Sequence, residues 1–199
     1  MINLVFATHN PKKLEEIQRM LPENIHLQSL DDIGCLEEIP ETAETLQGNA
    51  ILKANHVSHN YGLPCFADDT GLLVAALDGA PGVYSARYAG PGKNSTDNIH
   101  RLLKELEGKE DRSAHFRTVI ALNLDEEQHL FSGEVHGVIT GELAGEGGFG
   151  YDPVFRPDGY QKTFAELPAD VKNSISHRGK AFRKLVEFLD SRSTTRIKN

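Results

Sequence analysis

The sequence has no tryptophan, two cysteines, two methionines and no long apolar run. With only Cys35 and Cys65, no disulfide framework is expected, and the pair lacks the C-x-x-C spacing of a zinc site or redox couple. Nothing approaches membrane-spanning length, and Met1 to Phe6 is too short, and lacks the basic flank, for a secretory leader. A soluble, cytoplasmic protein is the expectation. Basic residues are outnumbered, 21 against 29, for a formal charge of −8. That balance argues against a broad surface for nucleic-acid backbones, but leaves room for a small anion gripped by a few local cations. Absent too are the G-x-x-x-x-G-K-[ST] loop, the G-x-G-x-x-G fingerprint and H-E-x-x-H, which removes the commonest nucleotide and zinc signatures.

What is present suits a single domain over 1–199, or two closely joined lobes, with 39% hydrophobic residues to build a core. Ile2 to Ala7 reads as a buried strand, Lys12 to Leu21 as a helix, and Ile25 to Leu30 as a second strand. A helix is expected from Thr45 to Asn60, stopped by Gly62. A short strand from Pro64 to Ala67 should deliver Asp68-Asp69-Thr70-Gly71. Thr96 to Leu106 reads as helix, Phe116 to Leu124 and His129 to Thr140 as paired strands around Asp125 to Gln128, and Gly145 to Gly150 as a loop. A last helix is expected from Arg178 to Asp190, and the tail 192–199 is expected to lack order. Strands that first alternate with helices and then pair as a hairpin indicate an α/β fold with a mixed sheet.

Six stretches carry candidate chemistry. Asn10 caps a helix that opens with Pro11, Lys12 and Lys13. Lysines are disfavoured in a first turn unless an anion joins them, so Thr8 to Lys13 is a candidate phosphate cradle; the plainer reading is a capped surface helix. Asp68 and Asp69, adjacent between apolar runs, need a cation or hydrogen bonds to compensate, and magnesium suits hard oxygen ligands; a tight turn would use the same residues. Asn49 and Lys53 lie one helical turn apart and share a face. The acidic loop through Glu38, Glu41 and Glu44 could add a carboxylate. In Gly147 to Pro153, Phe149 and Tyr151 alternate with glycines, as a loop approaching a flat base would, or as an aromatic anchor does. Ser176-His177-Arg178-Gly179, with Lys172 just before it, precedes the last helix. Arg178 can only donate hydrogen bonds, so it favours a keto group over an exocyclic amine on a bound purine. His56 and His59 read as surface residues, since no acidic third ligand stands near them in sequence.

The blocks A-T-H-N-P-K-K at 7–13, N-A-I-L-K-A at 49–54, A-D-D-T-G-L at 67–72, G-V-Y-S-A-R-Y-A-G at 82–90, G-G-F-G-Y-D-P at 147–153 and S-H-R-G at 176–179 resemble, in order, the inosine/xanthosine triphosphate pyrophosphatases of the HAM1-like family. His9 stands where that family often has Gly, and Thr70 where it often has Ser. The resemblance implies an elongated mixed sheet flanked by helices in two lobes with a cleft between them, usually in a homodimer. It implies hydrolysis of ITP, dITP and XTP to the monophosphate and pyrophosphate with Mg2+. Thr8, His9, Asn10, Pro11, Lys12, Lys13 and Lys53 would bind phosphates. Asp69 would act as base and, with Glu41, as metal ligand, and Thr70 would contact the nucleotide. Phe149, Gly150, Tyr151, Asp152, Lys172, His177 and Arg178 would form the base pocket. The rivals are a Maf-like pyrophosphatase for other modified nucleotides and a purine sensor without hydrolysis.

Overall fold

The computed structural model describes residues 2–21 and 23–196. Its elements are β1 (Ile2–Phe6), α1 (Pro11–Gln18), β2 (Ile25–Gln28), α2 (Leu46–Tyr61), β3 (Cys65–Val74), β4 (Pro81–Gly82), α3 (Ser95–Glu105), β5 (Ser113–Leu124), β6 (Glu127–Ile139), β7 (Phe155–Pro157), α4 (Ala169–Ile175) and α5 (His177–Arg196). The strands form one mixed sheet in the order β2-β1-β3-β5-β6-β7, with β4 beside β3. β1 pairs parallel with β2 and with β3, while β4 on β3 and β7 on β6 are antiparallel. Mixed pairing is what strand–helix alternation followed by a hairpin should produce. No helix among the described residues is long and apolar enough to cross a membrane.

The chain divides into two compact units. Unit 1 holds residues 1–69, 119–132 and 181–199; unit 2 holds 70–118 and 133–180. In unit 1 the two-residue strand period sorts the core onto the two faces of the sheet. Leu4, Phe6 and Phe66 pack with Ile17 of α1 and with Phe182, Leu185 and Leu189 of α5. Val5, Ala7, Cys65 and Ala67 pack with Ala50, Ala54 and Val57 of α2. Phe6 stacks on Phe66, and both meet the edge of Phe182. Unit 2 has its own core, in which Leu72 and Val74 of β3, Leu102 of α3, and Phe116, Phe155 and Phe164 are buried together.

Local chemistry explains several boundaries. Thr45 caps α2 by accepting from the Gly48 amide at 3.0 Å, and Gly62 ends the helix in the left-handed conformation, φ 65°. Thr45→Ala should lower stability by about 1 kcal/mol, read as a shift in the denaturant midpoint at constant m-value. Asp125 and Glu126 both have positive φ, 52° and 65°, the pattern of a two-residue turn matched to strand twist. The turn is therefore tighter than the four residues expected.

Other expectations change. β3 is one ten-residue strand, not a short strand ending before Asp68, so the tight-turn reading of Asp68 to Gly71 fails. Its apolar residues continue on both sides of the acidic pair and every position but two is buried, so the ladder runs on through the carboxylates. α5 continues to Arg196, six residues past the expected end at Asp190. Residues 197–199 lie outside the described ones.

Candidate active site

In unit 1, β1 ends at Phe6 and the chain turns through Thr8 and His9 into α1. The Thr8 hydroxyl accepts from the Asn10 amide at 3.1 Å, and the Asn10 side chain accepts from the Lys13 amide at 3.3 Å. The expected Asn cap with Pro11 at the first helical position is thus in place. His9 is not among the residues with positive φ, so this turn does not need the glycine common there. Its ring contacts the Asp31 carboxylate at 3.2 Å and the Glu37 carbonyl at 3.0 Å. The side chain of Lys12 lies outside the described ones.

The alternation of β3 separates the two aspartates. Asp68 shares the sheet face of Phe66, towards α1, and receives Lys13 Nζ at 2.8 and 3.0 Å from its two oxygens. Asp69 shares the face of Ala67, towards α2. There the Asn49 amide donates to it at 3.1 Å, and Lys53 Nζ stands 3.9 Å from its other oxygen. Asn49 is itself fixed by accepting from the Ala43 amide at 2.9 Å. Lys53 also donates to Glu41 at 2.6 Å, so the α2 face brings Glu41, Lys53 and Asp69 together. Of the acidic loop, Glu41 reaches this group through Lys53.

On the two faces of β3, three carboxylates and two ammonium groups therefore stand close enough to act on one another's charge. Burial pushes the Asp69 carboxyl up to about 6, and the Glu41 charge adds to this against the opposing influence of Lys53, Asn49 and Lys13. Burial pulls Lys53 down, but Asp69, Glu41 and Asp68 outweigh it and the ammonium is held above its ordinary value. The neighbouring carboxylates of Asp69 and Glu41, bridged by Lys53, offer hard oxygen donors of the kind that suit a divalent cation.

The raised Asp69 value has a definite sign for stability. The folded chain binds the Asp69 proton more tightly than the unfolded chain does, so this contribution is present below about pH 4 and lost as pH rises through about 6. In chelator, the pH dependence of unfolding should differ between wild type and Asp69→Asn across that window, by on the order of 2–3 kcal/mol. Denaturant titrations from pH 4 to about pH 7 read that difference directly.

Unit 2 carries the second group. The Gly147 to Tyr151 loop is pinned by Asp152, whose carboxylate accepts from the Phe149 amide at 2.7 Å and from Lys172 at 2.6 Å. Asp152 is buried. Lys172 lies 5.1 Å from the Phe149 ring centre, and so does the Arg178 guanidinium. The two rings of the loop play different parts. Phe149 is 36% exposed, whereas Tyr151 is 4% exposed and donates its phenol to the Ser85 carbonyl at 2.8 Å. Tyr151 is an anchor, and Phe149 is the more exposed ring. Gly150 takes φ 62° between them.

His177 and Arg178 occupy the first turn of α5, both buried. The His177 ring stacks on Phe116 at 4.6 Å and 15°. Ser176 accepts from the Gly179 amide at 3.0 Å, and a Cβ at Gly179 would overlap the Asn173 carbonyl. That close approach of α4 to α5 accounts for the glycine in S-H-R-G. Thr70 is paired with Thr118 at 2.7 Å between hydroxyl oxygens. Thr118 and Phe116 gave no signal in the sequence, because a hydroxyl and a ring in a β-rich run look like ordinary strand residues.

The family model of the Ham1 family matches residues 4–188. A dITP/XTP pyrophosphatase of Flavobacterium johnsoniae is 57% identical over 188 residues, covering 94% of this chain and 98% of its own. The Ham1 protein of Staphylococcus aureus superposes with TM-score 0.89 at 38% identity, covering 96% of this chain and 99% of that one. A HAM1 protein from Coxiella burnetii does so with TM-score 0.90 at 41% identity, covering 96% and 100%. Sequence blocks, sheet and helices agree along nearly the whole chain, which therefore belongs to the Ham1 family.

Proposed function

We propose that this chain is a hydrolase that cleaves abnormal purine nucleoside triphosphates, namely ITP, dITP and XTP, to the nucleoside monophosphate and pyrophosphate. The observation that carries the proposal is the buried group of Asp68, Asp69, Glu41, Lys13 and Lys53 in unit 1. A site that only held a purine would have no use for three carboxylates beside two lysines, whereas water activation next to a polyphosphate needs both signs of charge. This disfavours the sensor reading.

In the proposed reaction Asp69 accepts the proton of the attacking water as its oxygen bonds to phosphorus. The anhydride bond breaks, and its electron pair leaves with pyrophosphate. A carboxylate pushed up to about 6 is a stronger base than an ordinary one yet still ionised at neutral pH. Asn49 keeps its oxygen oriented, and Lys13 and Lys53, with Lys12 from the same first turn as Lys13, offset charge on the leaving group. The stretch Thr8 to Lys13, at the positive end of α1, holds the phosphate tail. Asp69 and Glu41 would hold Mg2+, which supplies charge neutralisation at phosphate oxygens and a more acidic water.

In unit 2, Phe149 offers a face to the purine while Lys172, His177 and Arg178 line its polar edge. Arg178 donates and cannot accept, so a 6-keto base is favoured over a 6-amino base. Discrimination against adenine by about 10²-fold or more in kcat/KM is expected, because an unmatched buried guanidinium costs more than a lost contact. Incubation with ITP, XTP and ATP, with Mg2+ or chelator, tests this. Pyrophosphate from ITP and XTP, little from ATP and none in chelator is the expected pattern; equal use of ATP would overturn the base assignment. Binding of ITP without product would favour a sensor. A homodimer and a cytoplasmic location are parts of the same proposal, the first read by light scattering.

A further inference from the structure

His56 looks like a surface residue in the sequence because its partners are remote, and the fold supplies them. Gly34, left-handed at φ 75°, ends the short 3-10 turn Asp31–Ile33. The chain then doubles back so that the Cys35 amide donates to the Leu30 carbonyl at 3.0 Å. This buries the reduced Cys35 thiol completely. Two residues on, Glu37 reaches His56 of α2, with Nε2 to carboxylate oxygen at 2.8 Å. The Cys35 sulfur, a Glu37 oxygen and a His56 ring nitrogen all lie within 4.8 Å of one another.

We infer that Cys35, Glu37 and His56 form a binding site for a thiophilic divalent cation of the zinc type. One sulfur, one imidazole nitrogen and one carboxylate oxygen is a donor set that zinc accepts and magnesium does not. Around a tetrahedral zinc such donors stand about 3.3–3.6 Å apart, given metal–ligand distances of about 2.0–2.3 Å. The three atoms lie within 4.8 Å, with Glu37 already 2.8 Å from Nε2, so shifts of about 1 Å reach that geometry, and Glu37, the most exposed of the three, has the freedom to make them. Water completes the fourth position. The ring is also held from behind, since the Asn60 amide lies 3.2 Å from His56 Nδ1. With the amide turned so that its oxygen accepts from Nδ1–H, the lone pair of Nε2 faces the thiol and carboxylate. Binding displaces the thiol proton to solvent as the metal–sulfur bond forms, so affinity rises with pH.

The test uses metal-free full-length protein with excess Mg2+, which occupies hard-oxygen sites. Titration with Co2+ should give one equivalent of a complex with a sulfur-to-cobalt charge-transfer band, bleached by one equivalent of Zn2+. Cys35→Ser, which keeps Cys65, should abolish the band, and His56→Ala should weaken Zn2+ binding at least about 10-fold. Asp69→Asn should leave both readouts unchanged, which separates this site from the catalytic proposal. Circular dichroism checks the fold, and should Cys35→Ser fail to fold, His56→Ala and the wild-type band decide. A cobalt complex without the charge-transfer band, or Zn2+ binding unchanged in His56→Ala, would overturn the inference.

Discussion

Asp69→Asn should lower kcat by about 10³-fold or more while the protein remains folded. The amide keeps the size of the carboxylate but cannot take a proton from water, and it is a far poorer ligand for a hard cation. Several kcal/mol of transition-state stabilisation are lost together, because base and ligand are the same group. Stability should move the other way. Asp69 is 8% exposed, and burial together with the Glu41 charge pushes its carboxyl up to about 6, so holding it ionised is a cost to the fold. Removing that charge should leave the variant at least as stable as wild type at pH 7, measured in chelator. Loss of activity with an unchanged or raised unfolding midpoint assigns Asp69 to chemistry. Near-normal turnover would remove it from the mechanism, and a collapse in stability would make its role structural.

Gly148→Ala should have the second large effect, on the nucleotide-base side. Gly148 has φ 73°, and a Cβ there would overlap the Asp152 carboxylate. That carboxylate has no room to give way, since it is buried and holds both the Phe149 amide and Lys172. The loop must shift, taking with it the ring proposed to face the purine. KM for ITP should rise about 10-fold or more with a smaller fall in kcat, because the phosphate-handling residues of unit 1 are untouched. The left-handed conformation and the overlap should together cost about 1–3 kcal/mol of stability. Steady-state kinetics with ITP beside a denaturant titration separate the two effects. An unchanged KM would show that this loop does not contact the base.

The residues that could be read from sequence are those whose local chemistry is self-contained. Asn10 with Pro11, and Gly62 after a helical stripe, mark helix ends through bonds made within one turn, so they were legible. The β1 strand and the β5–β6 hairpin were legible from their apolar patterns for the same reason. Asp68 and Asp69 were legible as a pair needing compensation, but not as two residues compensated separately. That depends on the strand continuing to Val74, so that alternation sends one towards Lys13 and the other towards Lys53. Tyr151 and Phe149 look alike in a glycine-rich run, and only the Ser85 carbonyl, 66 residues away in sequence, shows which is the anchor. His56 failed as a ligand candidate because Cys35 and Glu37 join it through tertiary structure alone. The six ordered motifs carried the family, since they record such long-range meetings that local rules cannot supply.

The central claim is cleavage between the phosphates that separates a nucleoside monophosphate from pyrophosphate, with the proton taken up at Asp69. Following ITP turnover by phosphorus NMR in the presence of Mg2+ tests it most directly. The account predicts inosine monophosphate and pyrophosphate in equal amounts from the first turnover, with no inosine diphosphate and no orthophosphate. Inosine diphosphate accompanied by orthophosphate would contradict it.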